Sequence, residues 1–410
     1  MKGMMMRSIS WTITRTATWT ITLTAGLATL ALLTGCLSTP GALPACDGWS
    51  ETAICGLMNP EDLAPLDAQG WVLVSEMTHS TTGDPEKPFQ SGRLTAIRLG
   101  AIGADVERQV LFPVERAEWA EFESSESAAP AERKWGETSC PGPPTRENFQ
   151  PHGIDVAEVA DGTIRVGVVT HGDREVIDFF ELGYSDPDKP GSASGEPMPE
   201  LTWRGCVSMR PGRNANDLAL LEDGGFVVTD MLPAITGIGP SAIWTMLKIN
   251  FGGNTGSVLR WSPEQEGFIQ ISSSEGSAPN GVAATPDGRS IYVAEWGAGR
   301  VVRLRFEKPG PRVRREVPIK GSPDNLTWTP EGRLLVGAQE ASAITALGCG
   351  AIESVGCDIG YTVTEIDPET LGAEIVAEGR GAVSVALDVG EDRLIGVFAG
   401  DTLERQPKPD

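Results

Sequence analysis

Asn280-Gly-Val-Ala-Ala-Thr-Pro-Asp-Gly-Arg-Ser-Ile-Tyr-Val-Ala-Glu295 reads as a short apolar strand, a Pro-Asp-Gly turn, and a strand of β-branched and aromatic residues. A polar amide stands where the first strand begins. The hairpin recurs along the chain. Asn216-Asp217 opens Leu-Ala-Leu-Leu-Glu-Asp-Gly-Gly-Phe-Val-Val-Thr-Asp, and Asp324-Asn325 opens Leu-Thr-Trp-Thr-Pro-Glu-Gly-Arg-Leu-Leu-Val-Gly. Ser384 opens a copy near the end, and His152 and Glu61-Asp62 open two upstream. In four copies the acidic turn residue falls at one offset (216 to 223, 280 to 287, 324 to 331, 384 to 391). Six such units are a normal blade number for a β-propeller. The expected fold class is therefore all-β: a six-bladed β-propeller over residues 46–410, with a short helical lid segment and surface insertions.

In a propeller the innermost strand of each blade lines the central channel, so equivalent positions converge on one axis. The opening residues are Glu61, His152, Asn216, Asn280, Asp324 with Asn325, and Ser384. Apart from the histidine and the serine, all are carboxylates or carboxamides. Calcium takes about 6–8 hard oxygen donors. In any single copy, turn preference explains an Asn or Asp equally well. Five donors in register predict a buried axial calcium site.

Residues 1–35 read as an export signal, with Lys2, Arg7 and Arg15 ahead of an apolar run. Leu33-Thr34-Gly35-Cys36 resembles the bacterial lipobox. That resemblance implies cleavage before Cys36, lipidation of its thiol, and an exported protein anchored to a bacterial membrane, periplasmic or at the cell surface. An uncleaved transmembrane anchor is the alternative. Residues 36–45, with Pro40 and Pro44, read as a tether. Without the signal's three basic residues, 30 of the 33 Lys and Arg remain against 56 Asp and Glu. Such an excess of negative charge argues against a nucleic-acid partner and for a solvated exterior. Nothing points to an obligate oligomer, and a monomer is favoured.

Six of the seven cysteines remain after Cys36, an even number suited to an oxidising compartment. Proximity in sequence suggests Cys46–Cys55 and Cys349–Cys357, leaving Cys140–Cys206 as the long bridge. Residues 117–149 form an acidic, Ser- and Pro-rich surface insertion within reach of the channel mouth. The apolar stretch 231–255 predicts a helix over Ser241–Asn250, serving as a lid or pocket wall, or as packing between blades.

Of the three histidines, His152 occupies a ring position and His171 the far end of the same hairpin, which puts both at one channel end. His79 has no supporting context. The segments Pro151-His152-Gly153-Ile154, Val168-Val169-Thr170-His171, Asn214-Ala215-Asn216-Asp217 and Asn280-Gly281 are similar to those of the paraoxonase/arylesterase family. So are Asp324-Asn325 and Glu61-Asp62. That family consists of calcium-dependent six-bladed propellers related to the senescence-marker/gluconolactonase proteins. The resemblance implies a catalytic calcium held by Glu61, Asn216, Asn280, Asp324 and Asn325. It also implies a structural calcium held by Asp62, Asp217 and the carbonyl of Ile154, and a His152/His171 dyad. Asp62 and Asp217 favour this branch over its single-metal relatives.

The chain departs from the family in placing Gln339 where a pocket histidine stands. No cysteine follows Cys357 to tie the chain ends, so the last blade should close noncovalently with an N-terminal strand.

The predicted function is hydrolysis of a small lactone or ester, with calcium polarising the carbonyl and His152, kept neutral by the dication, taking a proton from water. His171 would orient His152 or relay the proton. Covalent serine catalysis is disfavoured, because no Gly-x-Ser-x-Gly elbow and no third partner for either histidine is visible. The alternatives are a lipid-anchored scaffold with purely structural calcium, and a metal-free strictosidine-synthase-like propeller.

Overall fold

The computed structural model describes residues 40–44, 46, 52–67, 70–78, 91–100, 106–113, 135–146, 149–159, 162–172, 174–185, 196–235, 239–306, 312–349 and 356–408. Cys36, His79 and the expected signal lie outside these residues, as does 117–134 of the acidic insertion.

Six four-stranded antiparallel sheets make up the body. Their innermost strands are Pro60–Pro65, Gln150–Glu158, Arg213–Leu220, Pro279–Ala284, Ser322–Trp328 and Ala382–Val389. Each packs beside the next and the last beside the first, which closes the six-bladed propeller. Blades bury both faces, so their strands read as continuous apolar runs rather than clean alternations. In Trp71–Glu76, Val72 and Val74 meet Val385 and Leu394 of the sixth blade. The intervening Trp71 and Leu73 meet Phe149, Val166 and Phe180 of the second. The period of two thus assigns alternate residues to opposite interblade cores.

Closure is noncovalent, as expected. Ile54 and Cys55 pair with Leu403 and Thr402, completing the sixth sheet with an N-terminal strand. The three expected disulfides form: Cys46–Cys55, Cys140–Cys206 and Cys349–Cys357. The described part of the insertion lies along the outermost strand of the second blade, where Trp135 and Glu137 donate backbone hydrogen bonds to Arg204 and Cys206. Gly142 accepts from Arg174, and Phe149 enters the core between the first two blades.

The ring positions differ from the expectation in one respect. They do not begin the strands; each sits inside a register shift of an innermost strand. The shifts fall between Pro60 and Asp62, Pro151 and Ile154, Ala215 and Leu218, Pro279 and Val282, Pro323 and Leu326, and Val383 and Val385. A bulge breaks the alternation and re-aims a side chain, here toward the axis. Four of the six bulges follow a proline, which an edge strand tolerates because its N–H needs no ladder partner.

Close approach between blades accounts for two glycines. A Cβ on Gly153 would lie 2.5 Å from Asp217 Cα, and one on Gly281 would lie 2.4 Å from the Asp324 carbonyl oxygen. Gly281→Ala should therefore lower stability by about 1–3 kcal/mol through overpacking. An unchanged thermal midpoint would contradict that closeness.

Candidate metal centre and histidine pair

Glu61, Asn216, Asn280, Asp324 and Asn325 are all buried at the axis. Asn325 Nδ2 donates to Glu61 Oε1 at 2.8 Å, which joins the fifth blade to the first. Gln339 Nε2 donates to Asp324 Oδ2 at 2.6 Å. Ser384, the sixth ring position, donates its hydroxyl to the Glu61 carbonyl at 2.6 Å and so clamps backbone instead of offering a donor to the axis. Four oxygens are left over. Glu61 Oε2, Asn216 Oδ1, Asn280 Oδ1 and Asn325 Oδ1 are buried without a hydrogen-bond partner. A buried orphan costs about 1–3 kcal/mol, so four from one ring demand a common partner. No cluster of three or more His, Cys, Asp or Glu suited to a metal occurs among the described residues. This ring instead mixes two carboxylates with three carboxamides, a donor set that fits calcium better than zinc.

Charge points the same way. Burial first, then the Glu61 charge, pushes Asp324 up to about 8, against the opposing hydrogen bond from Gln339. Burial and repulsion from Asp217 and Glu61 hold Asp62 well above the usual carboxylate range. Asp217 is likewise raised, by burial above all, although backbone N–H groups of Val282 and Leu218 act in the other direction. Carboxylates crowded in a dry interior are costly unless a cation compensates them.

The second expected site is built differently. Asp62 accepts from Leu63 N at 2.9 Å and from Ile154 N at 2.7 Å. Asp217 accepts from Leu218 N and Val282 N, both at 2.7 Å. Asp155, which sequence reasoning passed over, repeats the pattern with Val156 N and Leu220 N at 2.9 and 2.7 Å. Each carboxylate thus braces its own strand and the next blade. All three line a cavity of about 220 Å³ together with Ala64, Ala284 and Thr327. For a second cation, the residues match in charge but no carboxylate oxygen there is orphaned.

The histidines come together as expected, with His152 Nδ1 at 2.9 Å from His171 Nε2. His152 Nε2 lies 3.4 Å from Glu61 Oε1, and the side chain remains 17% exposed, so it borders both the ring and the mouth. Burial disfavours its charged form, but Glu61, Asp324 and Asp217 outweigh this and push it up to about 9. The neutral imidazole expected from the sequence therefore needs positive charge among the ring donors.

The expectation that neither histidine has a third partner is corrected. His171 Nδ1 lies 2.9 Å from Glu175 Oε2. The turn at Gly172, with φ of 114°, returns the chain so that Glu175 faces the histidine four residues before it. The signal available was a carboxylate just beyond the strand end, which any surface turn also shows.

Gln339 is buried, with its amide oxygen accepting from Trp296 Nε1 at 2.6 Å and its nitrogen also bonded to the Val383 carbonyl. It orients Asp324. The expected helix spans Pro240–Asn250. Ile249 packs with Ala278, Trp296, Ala343 and Ala346, which seats the helix at the ring end. Its other side exposes Ile243, Trp244 and Leu247, followed by Phe251. Its inner side is packed on blade loops, and its outer side presents an apolar surface.

Residues 197–348 match the model of the SMP-30/Gluconolactonase/LRE-like region. Among curated protein sequences no match was found. Solved structures similar to the chain include a gluconolactonase from Xanthomonas campestris, at 17% identity and a TM-score of 0.46, covering 91% of this chain and 96% of that one. A calcium-binding regucalcin from Agrobacterium tumefaciens is 13% identical, with a TM-score of 0.44 and coverage of 91% and 98%. These likenesses add nothing to what the strand topology already establishes. The matched model describes the broader group and does not single out a paraoxonase branch. The chain is thus a six-bladed propeller whose residues 197–348, from the second blade into the fifth, are similar to the SMP-30/gluconolactonase/LRE-like region.

Proposed function

We propose that the chain is a calcium-dependent hydrolase of lactones or esters. The observation that carries the proposal is the set of four orphaned buried oxygens beside the His152/His171 pair. Glu61, Asn216, Asn280, Asp324 and Asn325 would hold the cation, and Gln339 keeps Asp324 turned toward it. A hard dication there supplies Lewis acidity, which polarises a carbonyl and offsets negative charge growing on its oxygen.

The chain's own residues do the rest. His152 borders the mouth and takes a proton from the attacking water at Nε2. His171 holds the opposite ring nitrogen, so the imidazole cannot swing away from the axis. The apolar helix Pro240–Asn250 favours an acyl or aromatic portion on the substrate over a bare sugar. Asp62, Asp217 and the Ile154 carbonyl are proposed to hold a second, structural calcium, supported by the carboxylate charge. Cys36 is proposed as the lipidated residue of an exported, membrane-anchored chain.

The test is hydrolysis of a lactone and aryl-ester panel by the 37–410 fragment, before and after chelation. Loss of activity with chelator and recovery with calcium is expected. Inactivity on every substrate with calcium still bound would leave a binding scaffold. Calcium per chain is expected to be two; one would remove the proposed site at Asp62 and Asp217.

A further inference from the structure

We infer that Glu175 is a positioning residue that sets the tautomer of the histidine pair and locks it to the strand carrying Asn216. The inference rests on the hydrolase reading for its catalytic consequence, but not for its structural one. An ionised carboxylate can only accept hydrogen bonds. The 2.9 Å contact to Glu175 Oε2 therefore makes His171 Nδ1 the donor. In neutral His171, Nε2 must then be the acceptor. Its 2.9 Å partner, His152 Nδ1, must carry a hydrogen. With a cation among the ring donors to engage Glu61, whose Oε1 lies 3.4 Å away, His152 would be neutral and its remaining nitrogen, Nε2, would keep its lone pair toward the axis, where a base has to present it.

The other oxygen of the same carboxylate is also used. Glu175 Oε1 accepts from the backbone N of Ala215 at 2.7 Å, one residue before ring donor Asn216. The Glu175 carbonyl accepts from Met209 N at 2.9 Å, so the residue is held at both ends. One side chain therefore sets the direction of the imidazole chain and its distance from the ring. Glu175 keeps 23% of its side chain exposed. A proton taken at His152 Nε2 can leave as the Nδ1 hydrogen passes to His171 Nε2 and the His171 Nδ1 hydrogen passes to Glu175. The sequence reverses each histidine's tautomer, and it is undone when His152 gives its Nε2 hydrogen to the leaving oxygen, takes the His171 Nε2 hydrogen back at Nδ1, and Glu175 returns a proton to His171 Nδ1. No bond other than N–H and O–H changes.

The experiment uses chain labelled with 15N-histidine, first free of calcium and then loaded. In the parent protein His171 should show a protonated Nδ1. Glu175→Ala should move that hydrogen to Nε2, while Glu175→Gln, whose one amide oxygen must serve either His171 Nδ1 or Ala215 N, should keep part of it at Nδ1. In loaded enzyme, Glu175→Ala should lower kcat by about 10–100-fold, as loss of an outer hydrogen-bond partner commonly does, with KM little changed and partial recovery in Glu175→Gln.

A His171 Nδ1 hydrogen that persists in folded Glu175→Ala would overturn the inference. So would a shifted tautomer with unaltered kcat in an active enzyme. If the parent shows no hydrolysis but the tautomer moves as stated, the hydrolase reading fails and the positioning role stands.

Discussion

Asp324→Ala is expected to abolish calcium retention at the ring and reduce lactone and ester hydrolysis to background. Asp324 is one of only two carboxylates among the five donors, and Asn325 is already committed through Nδ2 to Glu61. Its removal takes away a ligand and half of the formal negative charge facing the cation. It also takes from the buried Gln339 amide one of its two acceptors, leaving it the Val383 carbonyl. A buried polar group stripped of its partner costs about 1–3 kcal/mol, so thermal stability should fall as well. Asn280→Ala removes an orphaned oxygen and one hydrogen bond to Asp324, but leaves the Gln339 contact to Asp324 in place. It should lose calcium with a smaller stability change. Calorimetric calcium titration of the two variants separates the effects. Calcium binding at parental affinity in both would remove the ring as the metal site.

His152→Gln is expected to reduce kcat by about 10²–10⁴, the usual contribution of a general base, while calcium content stays at the parental value. Glutamine approximates the reach of the imidazole and keeps a polar contact to Glu61, but takes no proton near neutral pH. The opposite pattern is expected at Asn280: metal lost, His152 and His171 intact. A near-normal rate in calcium-loaded His152→Gln would transfer the base role to a carboxylate or to water itself.

Much of this architecture was legible in the residue order, and the reason is local. A Pro-Asp-Gly turn between β-branched runs is set by neighbours in the chain, so Asn280–Glu295 declares its hairpin unaided. Repetition then supplies symmetry, and symmetry places Glu61, Asn216, Asn280 and Asp324 on one axis before any contact is known. The disulfide pairs followed from spacing, and the N-terminal strand that closes the sixth sheet followed from the lack of a late cysteine.

What escaped the sequence depends on groups that meet only once the propeller has closed. Asn325 and Glu61 are 264 residues apart and bond directly. Ser384 carries the ring position of the sixth copy, yet its hydroxyl is claimed by a backbone carbonyl 323 residues away. The bulges that turn ring residues toward the axis leave no mark beyond a preceding proline, and only in four blades. Glu175 resembles any acidic turn residue until Gly172 folds it onto His171. Asp155 resembles any strand aspartate until Leu220 of the next blade donates to it. Chain-local chemistry therefore declares the blades and lines up the oxygen donors. Tertiary closure decides which donors stay unpaired for a cation and which are used to hold blade to blade, because a buried polar atom takes whatever partner the neighbouring strand presents.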